Sequence, residues 1–156
     1  MNSLINYIDI YYDKKMCINY IIISNEYNTK SYDFNNDSIH CIYKNYGYNF
    51  HYNVVISDYE ELVKLIEINE QNISIWNFHT GELIKEICIH NIGLNVACLW
   101  DKDYLFVGCD DKTIKLIDLK SGIVIKSLIG HNKSVLNLKK IIHPIYGECL
   151  VSQGWL

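Results

Sequence analysis

A period of 41 residues runs through much of this chain and constrains its fold more than any other feature. The stretch IWNFHTGELIKEICIH, residues 75–90, lies over LIDLKSGIVIKSLIGH, residues 116–131. Trp76 falls on Ile117, Asn77 on Asp118, Phe78 on Leu119, Thr80 on Ser121, Gly81 on Gly122, Lys85 on Lys126 and His90 on His131, all at one spacing. A weaker copy, KSYDFNNDSIHCIY, sets Asp33 and Phe34 against Asn77 and Phe78 at a spacing of 44. A fourth copy starts after His131, where LVSQGWL from Leu150 matches LFVGCDD from Leu105. A fixed period of this length marks stacked supersecondary units, none of which buries its apolar face alone.

The contents of one unit predict β-structure. Tyr104–Cys109 is a short, nearly continuous apolar run that suits a strand buried on both faces. Asp110, Asp111 and Lys112 make a polar turn, and Thr113–Leu119 alternates with β-branched residues. Lys120, Ser121 and Gly122 read as a hairpin turn, with glycine where positive φ is wanted. Ile123–Leu128 supplies a third strand and Asn95–Trp100 a fourth. Four short antiparallel strands per unit make one blade of a β-propeller. The expected organisation is all-β: four strands in residues 3–43, four in 50–89, four in 94–129 and two in 134–154, about three and a half blades. One segment pulls the other way. Ser57-Asp-Tyr-Glu60 matches a capping box, and Leu62, Leu65 and Ile66 have helical spacing. The repeat register instead sets 62–68 opposite Tyr104–Cys109, as a strand.

These residues resemble the WD-repeat family. The likeness rests on Gly130-His131 before a strand, on the Asp111 turn followed by KTIKLIDL, and on IWNF and LIDL in place of the family's terminal Trp-Asp. It is strong over residues 62–155 and weak over 1–60. The resemblance implies a structural role for Trp76, His90, Asp111, Asp118, Gly122, Gly130, His131 and Ser152. It implies a hydrogen-bonded set of histidine, hydroxyl, aspartate and tryptophan in each blade, and here each set is incomplete. The 94–129 unit has His90 and Asp111, with Val107 and Ile117 at the hydroxyl and tryptophan positions. The 50–89 unit keeps Trp76 but has Glu70 at the aspartate position, and the last has His131 and Ser152 with Leu156 there.

In this family the loops entering the first strand and the turns leaving the second share one rim, where partners dock. By position that rim takes Asn69, Asn91, Asp110, Asn132, Lys133 and Trp155. Trp155 is either an exposed anchor, since tryptophan is enriched at binding hot spots, or a packing residue of its own blade. Trp76 and Trp100 belong to apolar strands and are expected in the core.

Composition narrows the function. The formal charge is −4, arginine is absent, and lysines run no longer than pairs. Nucleic acid and anionic membrane are therefore not expected partners. The six cysteines are scattered without a C-x-x-C pair and read as small buried groups in a reducing compartment. The start, MNSLINYIDIYYDKK, is polar from its second residue and unlike a signal peptide, so a cytoplasmic protein is expected. No HExxH, phosphate loop or nucleophile elbow is present, and His143 near Cys149 lacks an orienting third group. No cofactor and no catalysis are expected. The sequence points to an interaction scaffold for other proteins, whose open blade edges also invite self-association. Two other readings stand beside it: a truncated, non-functional fragment of a longer propeller, and a ligand-binding, sugar-binding or hydrolytic propeller.

Overall fold

Alternating apolar residues decide which face of each strand is buried, and the turn residues decide where each strand reverses. The computed structural model describes residues 5–25, 27–44, 53–57 and 62–155. Strands β1 (Ile5–Asp13), β2 (Ile18–Asn25), β3 (Thr29–Asp33) and β4 (Ser38–Tyr43) form the first sheet in that order. β5 (Asn53–Ser57), β6 (Lys64–Ile68), β7 (Asn72–Asn77) and β8 (Leu83–Cys88) form the second. β9 (Leu94–Leu99), β10 (Tyr104–Cys109), β11 (Ile114–Asp118) and β12 (Ile123–Leu128) form the third. β13 (Val135–His143) and β14 (Gly147–Gly154) pair as a two-stranded fourth sheet. Every pairing is antiparallel between consecutive strands. The chain is all-β, as its repeat predicts. The strand reading holds over 64–68, while residues 58–61 of the capping-box match lie outside the described residues.

The hairpins share one local device. A short side chain at the end of a strand accepts backbone N–H groups two and three residues on, which closes the turn. After β1, Asp13 accepts from Lys15 and Met16. After β9, Asp101 accepts from Asp103 and Tyr104, and at the end of β13 the ring of His143 accepts from Ile145 and Tyr146. Between second and third strands, Asn25 and Asn69 do the same work. Between third and fourth, the aligned trio Asp33, Asn77 and Asp118 does so. Gly122 sits at φ +80°, which a side chain rarely adopts.

Three seams hold the sheets face to face. Tyr20, Ile22, Tyr43, Leu65, Trp76 and Phe78 fill the first. Ile66, Ile73, Ile75, Leu105, Val107 and Ile117 are among those filling the second. Val96, Ile114, Val135 and Leu138 fill the third, which is smaller because only two strands face it. On β1, Tyr7 and Tyr11 turn into the first seam, whereas Ile8, Ile10 and Tyr12 alternate outward and are exposed. Trp76 is buried, as its strand suggests. Trp100 is half-buried, with Lys140 Nζ 4.7 Å from its ring centroid and Phe106 edge-on to it at 5.3 Å.

Candidate functional site

Antiparallel order puts the connections between sheets and the second-to-third turns at one end of the strands. The other two turns of each sheet lie at the opposite end. Around the second seam the first end is tightly stitched. The Asp110 amide donates to Gly93 O at 2.9 Å, and Leu94 N–H donates to Glu70 O at 3.0 Å. Asp110 Oδ1 accepts from the Asn95 carboxamide at 2.8 Å. The Asp110 carboxylate also packs so close to Gly93 that any side chain at 93 would collide with it. Asp110 is thus exposed yet fixed in direction. Glu70, Gln71, Gly93, Leu94, Asn95 and Asp110 line a polar cleft of about 260 Å³ there.

The rim continues over the third seam. Ser134 Oγ donates to Asp110 O at 3.4 Å, and Trp155 N–H donates to Ser134 O at 2.9 Å. This chain of contacts sets Asp110, the 129–134 connection and Trp155 side by side. The Trp155 side chain is 66% exposed, and Asn132 and Lys133 are exposed beside it. Asn91 is exposed too, at φ +60°. Asn69 departs from the sequence expectation. It is only 4% exposed, and its carboxamide oxygen is held by the N–H groups of Gln71 and Asn72. It shapes the turn and is not presented to a partner.

The expected blade networks form unevenly. In the fourth sheet His131 Nε2 meets Ser152 Oγ at 2.8 Å, as the resemblance implies. In the third sheet His90 and Asp111 do not join. His90 is exposed, with Nδ1 3.5 Å from Cys88 Sγ. Asp111 spends its carboxylate on the Thr113 hydroxyl at 2.6 Å and on Lys115 at 3.0 Å. Those partners hold its carboxyl below the usual range, although partial burial opposes them. The cause lies in Val107 and Ile117: with no hydroxyl or indole to bridge, nothing draws the histidine inward. Asp118 and Gly122 close their hairpin, where Gly122 N–H donates to Asp118 O at 2.7 Å. Backbone N–H donation, from Ser121 above all, keeps the Asp118 carboxyl low. Gly130 is exposed, and the place a Cβ would take there is open space.

The second sheet solves its network with a residue that the repeat did not flag. The Trp76 indole N–H donates to Glu67 Oε2 at 3.0 Å. Thr29 of β3 donates to the other carboxylate oxygen and also bonds Ser24 at 2.6 Å. Glu67 is 1% exposed, so this carboxylate ties two sheets together from inside the seam. A lone acid in the apolar strand KLIEI was the available signal. At the other end of the same seam, His79 bridges Asp13 at 3.2 Å and His40 at 3.3 Å. Burial, with His79 next in weight, lowers the His40 pKa.

All six cysteines are unbridged. Burial raises the thiol pKa of Cys41 and Cys98, and takes Cys109 to about 12. Among the described residues no three His, Cys, Asp or Glu side chains are placed to hold a metal, and no helix is long and apolar enough to cross a membrane.

This architecture is that of WD40 β-propeller blades. The WD40 β-propeller domain of Doa1, seen in a crystal structure, superposes with a TM-score of 0.70 at 20% identity, covering 85% of this chain and 43% of that one. Myosin heavy chain kinase C of Dictyostelium discoideum is 32% identical over 98 residues, 63% of this chain. The match spans 11% of that kinase's length, so the activity in its name belongs to that protein. No protein-family profile matches the chain.

Proposed function

We propose that this chain is a non-catalytic protein-interaction scaffold of the cytoplasm that docks partner proteins on the rim formed by Asn91, Asp110, Asn132, Lys133 and Trp155. Its blades carry the strands within residues 5–43, 53–88 and 94–128, with the first two strands of another over 135–154. Propeller blades commonly serve such a role, but fold alone does not assign it. The observation that carries the reading is Trp155: a largely exposed indole whose backbone N–H donates to Ser134 O, while the Ser134 hydroxyl donates to the Asp110 carbonyl. Tryptophan is enriched among the residues that dominate binding interfaces.

The test compares co-purification of partners with the full chain and with Trp155→Ala, Asp110→Ala and Ile125→Ala. Ile125 is an exposed residue of outer strand β12, away from the rim. The proposal expects the same partners to be lost from the first two variants and kept by the third. Retention by both rim variants, each folded to the parental melting temperature, contradicts it.

A further inference from the structure

The first-to-second turn of the fourth sheet differs from its counterparts. Residues 14–17 make this turn in the first sheet and residues 100–103 in the third, and both carry two or more charged side chains. In the fourth sheet Pro144, Ile145 and Tyr146 join β13 to β14, with no charge among them. Ile142 is 82% exposed, Ile145 80% and Tyr146 76%. Single exposed apolar residues are ordinary, but three large ones within five residues mark a contact surface.

This tip stands on a stiff base. β13 and β14 have nine and eight residues, against six each in β9 and β10, and pair out to His143 opposite Gly147. Lys140 Nζ donates to Trp100 O at 2.7 Å and bridges Glu148 Oε1 at 2.7 Å, which clamps the hairpin to the end of β9. Beyond the clamp, His143 Nδ1 accepts from Ile145 N–H at 3.1 Å and Tyr146 N–H at 3.3 Å. The Tyr146 ring stacks on His143, with centroids 4.8 Å apart. Pro144 fixes its own φ, and Gly147 takes φ +71°. An apolar tip already held in one shape loses little freedom on docking.

The surrounding charge favours a protein over a bilayer as the occupant. Lys102, Lys139 and Lys140 are balanced by Asp101, Asp103 and Glu148, so the hairpin and its adjoining turn carry no basic excess to draw an anionic membrane. Exposed Glu148, across from Ile142, would also be carried into the headgroups. We propose that residues 142–146 form a docking finger that enters an apolar pocket on a partner protein. Ile145 and Tyr146 fill the pocket and Ile142 seals its edge. A buried tyrosine hydroxyl takes a hydrogen-bond partner, so the pocket pairs its apolar wall with one acceptor. The finger lies at the opposite end of the strands from Trp155 and does not rest on the rim.

The test is photo-crosslinking in the cell from the full-length protein with a photoreactive phenylalanine analogue at Ile142. It is run in the parent and in Ile145→Ser/Tyr146→Ser, Tyr146→Phe and Trp155→Ala. The expected result is a discrete protein adduct whose crosslinked peptide maps to an apolar segment of the partner. The adduct should fall about tenfold in the double serine variant, the loss of two buried side chains. It should fall less in Tyr146→Phe, which keeps the ring on His143, and not at all in Trp155→Ala. Melting temperatures equal to the parent's check the fold, since the tip packs on no core residue. Absence of an adduct, adducts to lipid or to a second copy of the chain, or an adduct undiminished by the serines would overturn the proposal. So would equal loss in Trp155→Ala.

Discussion

Glu67 is the residue on which the first seam turns. Removing its carboxylate takes the acceptor from the Trp76 indole N–H in a buried place and one of two partners from the Thr29 hydroxyl. Glu67→Ala is therefore expected to cost about 3 kcal/mol in urea unfolding, the scale of a buried polar group left without its partner. A cost near zero would show that water replaces the carboxylate. Ser74, opposite Glu67 across β6 and β7, has a buried hydroxyl with no hydrogen-bond partner among the described residues. Ser74→Ala should hold or raise stability, by up to about 1 kcal/mol. His40 gives a pH signature. Its folded pKa lies below the unfolded value near 6.5, so the unfolded chain binds the extra proton. Its contribution is complete above that value and is lost as pH falls through the folded pKa. Asp13, Asp33 and His79 face it, the two aspartates opposing the shift. Melting temperature should thus fall from neutral to mildly acid pH, and His40→Gln should flatten that fall. Neither Glu67 nor His40 was legible as a partner in the sequence, because both act across a seam on residues 38 or 39 positions away.

Elements were the most legible scale. Strand β10 occupies the residues that its apolar run predicts, and β11 and β12 follow from alternation and the Ser121-Gly122 turn. The turns announced themselves because an Asx residue at a strand end makes its bonds locally. What the repeat could not show was burial: Asn69 and Asp110 hold equivalent turn positions, yet one is enclosed and the other exposed. Gly122→Ala, forced to φ +80°, should destabilise by about 1 kcal/mol or more. Gly93→Ala should act differently. It displaces the Asp110 carboxylate, so partner binding at the rim should weaken more than the melting temperature falls.

At the scale of the molecule, the three seams leave two ends to the strands. One carries the proposed rim around Asp110 and Trp155, to which the family likeness led through equivalent positions. The other holds a cavity between the second and third sheets, whose lining residues come together only once those sheets are stacked. The central claim is that partners meet the molecule at the rim. The most direct test is site-specific photo-crosslinking in the cell, with a photoreactive phenylalanine analogue placed in turn at Asn132, Trp155 and Ile125 of the full-length protein. The account expects one shared set of proteins crosslinked from the two rim positions and absent from the outer-strand position. Equal crosslinking from all three, or crosslinking from Ile125 alone, would contradict it.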